Sequence, residues 1–280
     1  MGLEEEIQKT ALTIAGSDPS GGAGIQADLK TFTVLGVYGG AVITCLTAQN
    51  TQAVFSVEPV KPSFVKEQIR YVLNDLNVSH IKIGMVGTVP IIESICEQLS
   101  NFSGEIIYDP ILISSSGHAL MDENGYEAVR QLLLSICTVI TPNLPELPVL
   151  TEKKCSTENE IFSAAELLLN KYKKLRAVII KGGHAKPDER MVDDFLIKLN
   201  NEDNTAQIIK ESHPRLETRN THGTGCTFSS AFTAYHLLNG DDSKAFRKTV
   251  SFMDELLTLS ASGDIGLGTG PLVHHLVHKG

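Results

Sequence analysis

Short apolar runs rich in β-forming residues alternate with longer stretches of helical period along most of this chain, and few architectures accept such an order. The runs 11–15, 41–46, 81–83, Glu105–Tyr108, 138–140 and Ala177–Ile180 read as strands. Between them lie helical patterns over 24–35, 62–76, 90–99, 124–134 and 160–171, the first of them stopped by Gly36. Strand and helix in regular succession predict an α/β fold, a doubly wound and mostly parallel sheet with helices on both faces. Over 191–209 the pattern changes to two short apolar runs flanking the polar stretch 200–204, which predicts an antiparallel hairpin at a sheet edge. Two helices follow, over 224–238 and 243–261, and then a Gly-rich tail. No repeat, linker or low-complexity tract interrupts the 280 residues, so one domain over 1–280 is expected.

Charge narrows the range of partners. A formal net charge of -9 repels polyanions, which argues against nucleic acid and anionic membrane. A nucleotide is also an anion and would need backbone N–H groups, a metal ion and a few lysines against that field. The five cysteines, Cys45, Cys96, Cys137, Cys155 and Cys226, are odd in number and scattered, so neither a disulfide framework nor a zinc site is expected and a reducing, cytoplasmic setting fits. The opening residues are acidic and polar, and no apolar run is long enough for a bilayer; no signal peptide or anchor is expected.

Right-handed crossovers bring the strand-to-helix loops to one edge of such a sheet, and the chemistry-bearing residues fall in those loops. Thr221-His222-Gly223-Thr224-Gly225-Cys226-Thr227 places two glycines in a turn that opens into a helix. Glycines allow backbone N–H groups to approach an anion, and the helix N-terminus adds about half a positive charge. Cys226 falls in the first helical turn, a position that favours a thiolate and hence a base; the alternative is a tight turn whose cysteine is a small buried hydrophobe.

A second glycine loop, 15–24, joins the first strand to the first helix but ends in no Gly-Lys-Ser/Thr and matches the dinucleotide fingerprint loosely. Its small residues would admit a flat ring, with Asp28 one turn into the helix to bond it or, alternatively, to favour the helix dipole. Asp109, Asn143 and Glu146 follow strands, and carboxylates with an amide at a phosphate site suit Mg²⁺. Lys181 at another strand end suits nucleotide phosphates. His274, His275 and His278 near the C-terminus read as solvated.

Five stretches together resemble the hydroxymethylpyrimidine/phosphomethylpyrimidine kinases of thiamin biosynthesis, within the ribokinase-like superfamily. They are Leu-Thr-Ile-Ala-Gly-Ser-Asp-Pro-Ser-Gly-Gly-Ala-Gly-Ile-Gln-Ala-Asp-Leu-Lys-Thr-Phe (12–32), Lys-Ile-Gly-Met (82–85), Thr-Pro-Asn-Leu-Pro-Glu (141–146), Ile-Lys-Gly-Gly-His (180–184) and the loop 221–227. The resemblance runs in order over about residues 11–275. It implies ATP, Mg²⁺, a homodimer and two successive phosphorylations, of 4-amino-5-hydroxymethyl-2-methylpyrimidine and then of its monophosphate. By position it implies that Gly16, Ala23, Asp28, Gln49 and Met85 hold the pyrimidine. It assigns Asp109, Asn143, Glu146 and Lys181 to Mg²⁺ and the phosphates, Gly223, Thr224 and Gly225 to the anion hole, and Cys226 to the base.

The chain departs from the family after Asp109-Pro110, where Ser115-Ser116-Gly117-His118 stands in place of a Lys-Ser-Gly-Asp stretch. That departure bears on the second phosphorylation, whose acceptor is itself an anion. Pyridoxal kinase and a non-catalytic sensor of a phosphorylated vitamin intermediate are the competing expectations.

Overall fold

A computed structural model of the chain describes residues 9–112, 121–184, 190–200 and 205–277. The readings made above on the opening residues, on 115–118, on the hairpin tip 201–204 and on His278 lie outside the described residues.

In chain order the elements are β1 (Thr10–Ser17), α1 (Gly24–Val34), β2 (Tyr38–Gln49), β3 (Val54–Pro59), α2 (Pro62–Asp75), β4 (His80–Ile83), α3 (Val89–Leu99) and β5 (Glu105–Tyr108). There follow α4 (Glu123–Ala128), a π turn (Val129–Leu133), α5 (Leu134–Ile136), β6 (Val139–Ile140), α6 (Glu146–Thr151), α7 (Glu158–Lys171) and β7 (Ala177–Ile180). The chain closes with β8 (Met191–Leu199), β9 (Ala206–Pro214), α8 (Thr224–Asn239) and α9 (Asp242–Ser260). All nine strands join one sheet in the order β3-β2-β1-β4-β5-β6-β7-β8-β9. Strands β2, β1, β4, β5, β6 and β7 are parallel, whereas β3 at one end and the β8–β9 hairpin at the other join antiparallel.

The expected α/β sheet and edge hairpin are present. The reading missed β3 and α6. Every residue of β3 is exposed, so it has no buried face to impress alternation on its sequence. Helix α6 spans only six residues, too few to show a period. Helix α7 begins two residues before the expected 160, because the Thr157 hydroxyl accepts from the Glu160 N–H while Glu160 reaches back, a capping box.

Alternation along the inner strands sorts side chains to two faces. Ile106 and Tyr108 join a core with Val65 and Ile69 of α2, Ile91 and Ile95 of α3, and Leu168 of α7. Ile107, between them, points the other way, into a core with Phe232 of α8 and Phe246 and Leu256 of α9. Helix α1 covers that second face beside them, with Phe32 packed on Ala11 and Ala234. Each such side chain contributes about 1.5–3 kcal/mol when taken fully out of water, so the strand register is strongly held. With the register set, Gly16, Gly84, Asp109, Thr141 and Lys181 all emerge at or beyond the C-terminal ends of parallel strands, along one edge.

Candidate active site

The loop before α8 is shaped by what only glycine can do. Gly223 has φ +82, and a Cβ there would lie 1.8 Å from the Gly22 carbonyl oxygen. The two glycine loops therefore touch backbone to backbone. No side chain caps the start of α8, and the Thr224 hydroxyl donates backwards to the Thr221 carbonyl, 3.0 Å. A Cβ on Gly225 would stand 3.5 Å from Lys181 Nζ and 3.7 Å from Asp109 Oδ2, so the uncapped helix end opens onto a cation and a carboxylate. Positive dipole, free N–H groups and an ammonium converge there, an arrangement that suits phosphate oxygens.

Lys181 Nζ pairs with Asp109 Oδ1 at 2.5 Å, and burial is outweighed by Asp109 and Glu146, which hold the ammonium above the usual lysine range. Asp109 Oδ2 is buried with no hydrogen-bond partner. Such an orphaned anionic oxygen is costly unless a ligand satisfies it. Asn143 and Glu146 grip each other: Asn143 N–H donates to Glu146 Oε2 at 2.8 Å, and Glu146 N–H to Asn143 Oδ1 at 2.9 Å. Burial, with Asp109 adding to it, lifts Glu146 to about 7 against the pull of Lys181. Two carboxylates awaiting positive charge fit Mg²⁺, which takes one or two protein carboxylates and fills its shell with water and phosphate oxygens. No group of three or more His, Cys, Asp or Glu forms a metal cage among the described residues, as such a site does not require one.

Two expectations need correction. Cys226 is buried at the first turn of α8, but burial raises its thiol to about 11, with Asp28 and Asp109 adding to the rise and Lys82 and the Gly24 N–H opposing it. Dehydration outweighs the helix dipole, so the position alone yields a thiol rather than a thiolate. Asp28 does not face the cavity. It is wholly buried and accepts from Thr13 Oγ1 (2.6 Å), Ser230 Oγ (2.7 Å) and Lys82 Nζ (2.9 and 3.0 Å). Four hydrogen bonds from these three groups saturate the carboxylate and leave nothing for a substrate. It also lies beyond the first turn of α1, which carries no acid, so the dipole reading fails too.

The other expected residues do meet. Gly16, Ala23, Gln49 and Met85 line one cavity of about 390 Å³ together with Asp109, Asn143, Glu146, Lys181 and the segment 223–226. A Cβ on Gly16 would come 2.7 Å from Cys45 Sγ and 3.6 Å from Met85 Sδ, so that wall tolerates no bulk. Asp18 and His222 were not singled out by the sequence. His222 Nε2 bonds Asp18 Oδ2 at 2.8 Å and lies 3.3 Å from Gln49 Nε2, tying the two glycine loops across 204 residues. Asp18 is held at about 2: burial works against it, and His222 and Ser20 prevail. Both residues stood inside motifs, but local spacing carries no sign of a bond at that distance.

The Gly-rich tail has a packing role. The Gly268 N–H donates to Thr51 Oγ1 at 3.2 Å, and His222 N–H to the Gly270 carbonyl at 3.0 Å, so the tail braces the β2–β3 turn and the anion loop. His274, expected in solvent, is buried and accepts from Thr227 Oγ1 at 3.0 Å; His275 is exposed as expected.

A second cavity of about 530 Å³ opens on the far side of Lys181 and Gly225, with Val192, Pro214, Phe228, Met253 and Leu257 as an apolar wall. Asn143, Lys181, Thr221, Thr224 and Gly225 belong to both cavities. The sequence did not disclose this wall, because its members come from four separated elements, β8, β9, α8 and α9. Two cavities meeting at one anion loop, over a doubly wound sheet, suit the passage of a phosphoryl group between two bound small molecules.

The family model described as phosphomethylpyrimidine kinase matches residues 18–273. The hydroxymethylpyrimidine/phosphomethylpyrimidine kinase of Escherichia coli (strain K12) is 39% identical over 267 residues, covering 95% of this chain and 96% of that protein. The chain belongs to this phosphomethylpyrimidine kinase family. Among solved structures it resembles a phosphomethylpyrimidine kinase from Clostridium difficile 630, with TM-score 0.76, 35% identity and coverage of 89% of this chain and 99% of that one. It also resembles the pyridoxal kinase from Staphylococcus aureus in complex with ADP, with TM-score 0.82, 29% identity and coverage of 95% and 93%.

Proposed function

We propose that the protein transfers the γ-phosphoryl group of ATP to the hydroxymethyl of 4-amino-5-hydroxymethyl-2-methylpyrimidine, and then a second phosphoryl group to the monophosphate. One observation carries this reading: the two cavities share the uncapped N-terminus of α8, so a donor in one and an acceptor in the other present their reacting atoms to the same N–H groups. The pyrimidine lies in the first cavity between Gly16, Ala23, Gln49 and Met85, where the Gln49 amide both donates and accepts. The nucleotide base takes the apolar wall of the second cavity, with its phosphates toward Asn143, Lys181 and the α8 terminus.

Asp109 and Glu146 hold Mg²⁺, which when bound neutralises phosphate charge. Gly223, Thr224 and Gly225 receive the migrating group, and Lys181 draws charge toward the leaving oxygen. Cys226 takes the proton of the attacking hydroxyl as a thiolate, once its own proton has passed to solvent. Ionising a thiol near 11 at neutral pH costs on the order of 5 kcal/mol. Only a small fraction of the molecules therefore carries that thiolate at neutral pH.

We also read the chain as a homodimer in a reducing, cytoplasmic setting. Strand β3 is an exposed edge on which Phe55 is uncovered, and Leu46 of β2, opposite Glu58, is exposed as well, a surface that a second copy would bury. All five cysteines are free, and no helix of the described residues is long and apolar enough to cross a membrane.

The likeness to a pyridoxal kinase makes pyridoxal the second substrate to test. Purified protein is given ATP, Mg²⁺ and each alcohol in turn, and the products are followed by mass. The pyrimidine monophosphate and then the diphosphate are expected. Pyridoxal phosphate without any pyrimidine phosphate would overturn the substrate reading.

A further inference from the structure

The wall of the second cavity holds a titratable group that the transfer chemistry does not use. His213, on β9, is largely buried, and both of its ring nitrogens face carboxylates: Nδ1 lies 2.9 Å from Asp254 Oδ1 on α9 and Nε2 lies 3.3 Å from Asp194 Oδ2 on β8. Carboxylate oxygens only accept. A ring that serves two of them must donate from both nitrogens, and only the imidazolium does so. A neutral ring would turn a lone pair on one carboxylate and leave Asp194 and Asp254 facing each other with no charge between them.

The contact extends from α9 into the transfer site. The other oxygen of Asp194 accepts from the Gly182 N–H at 2.7 Å, next in the chain to Lys181. A Cβ on Gly182 would fall 2.1 Å from the Asp193 carbonyl oxygen, so this turn sits directly on β8. Helix α9 supplies Met253 and Leu257 to the apolar wall, one residue before and three residues after Asp254. Asp254, His213, Asp194 and Gly182 thus form a clasp that joins the wall of the cavity to the strand end bearing its lysine.

The charged groups around the ring are Asp194 from β8, Asp254 from α9 and, more weakly, Asp193, which Lys210 and Ser212 neutralise. Arg215, just past β9, also lines the cavity. Burial opposes the charge on His213, but Asp194 and Asp254 outweigh it and hold the imidazolium above its ordinary value.

We propose that His213, as an imidazolium between Asp194 and Asp254, is a positioning residue for the nucleotide, whose affinity falls when rising pH discharges the ring. This rests on the reading that the second cavity takes the nucleotide. Stability and affinity share a sign here: the clasp is complete below the unfolded-state value of 6.5 and is lost as pH rises through the raised folded value. Linkage is reciprocal, so nucleotide binding must raise the His213 value by the same coupling.

The test measures Mg-ADP affinity calorimetrically between about pH 6 and 9, corrected for ionisation of ADP itself, while NMR follows the His213 imidazole. The native protein is expected to lose about 10-fold in affinity across that range, with the His213 titration displaced upward by ADP. His213→Gln, which keeps one donor and cannot titrate, should bind at the weak level throughout and melt somewhat earlier, while the KM for the pyrimidine alcohol stays near native. A pH-independent affinity in the native protein, or a His213 titration indifferent to ADP, overturns the clasp. Leu257→Trp separates the two claims by filling the same cavity with neutral bulk that offers Asp254 no charge partner. If it abolishes ADP binding while the native affinity is flat with pH, only the clasp falls; if ADP binds it normally, the cavity assignment falls and the clasp with it.

Discussion

Replacing Asp28 by Asn keeps the shape of the side chain and removes its charge, and the surroundings set the cost. Lys82 and Asp28 are both fully excluded from solvent, and among the described residues the ammonium donates to this carboxylate alone. Burial opposes the charge on Lys82, but Asp28 outweighs it and holds the ammonium above the usual lysine range. Breaking such a pair from one side strands a buried cation and costs about 3–5 kcal/mol. Thr13 and Ser230 would also lose an ionic acceptor. Against a total stability of about 5–15 kcal/mol this is a large fraction. At about 2–4 °C per kcal/mol for a chain of this size, the melting temperature should fall by roughly 8–15 °C.

The assay pairs thermal melting with steady-state kinetics. Asp28→Asn should melt early but show a near-native KM for the pyrimidine alcohol below its transition. Adding Lys82→Met removes the stranded charge and should recover most of the loss, since a neutral, well-packed pair is often no less stable than a buried ionic one. A variant that melts like the parent while its pyrimidine KM rises 10-fold or more would refute the reasoning and return Asp28 to the substrate.

Gly223→Ala should reduce kcat by about 10³-fold or more, whereas Gly225→Ala should cost far less. The first places a Cβ against a carbonyl oxygen in a left-handed turn and the second meets ordinary contacts, so equal kinetics would refute the geometric reading. Cys226→Ala should lower kcat by about 10²-fold with little change in either KM, and near-normal turnover would remove Cys226 from proton transfer. Stability should fall on acidification from pH 7 to 5, checked by urea unfolding at both values. His80 and His274 are pressed down to about 4 by burial, and His236 is lowered by the same cause. The unfolded chain takes up protons below 6.5 that these rings refuse, so stability is lost from there downward, by about 1–2 kcal/mol at pH 5 for each of His80 and His274. His213 and Glu146, both raised, work in the opposite sense and offset part of that loss. In a Glu146→Gln background, which removes the offset from that raised carboxyl, unchanged stability at pH 5 would refute the burial argument.

The alternating pattern was enough to place most of the sheet and its helices, because period and turn chemistry are local properties. It could also gather Gly16, Asp109, Lys181 and Gly223 at one edge, since parallel strands must end on the same side. Where an element lacked a buried face, as β3 does, or enough length for a period, as α6 does, no local trace was left to read. The fate of single polar groups was not local either. Asp28 turned inward because Lys82, Thr13 and Ser230 arrive beneath it from other elements, and burial raised the Cys226 thiol against its helix dipole. The bond from His222 to Asp18 and the cavity wall shared by β8, β9, α8 and α9 likewise join residues far apart in the chain. Pattern along a chain records which side of an element faces inward; solvation, charge pairing and cavity shape arise between elements, and only the folded chain brings those neighbours together.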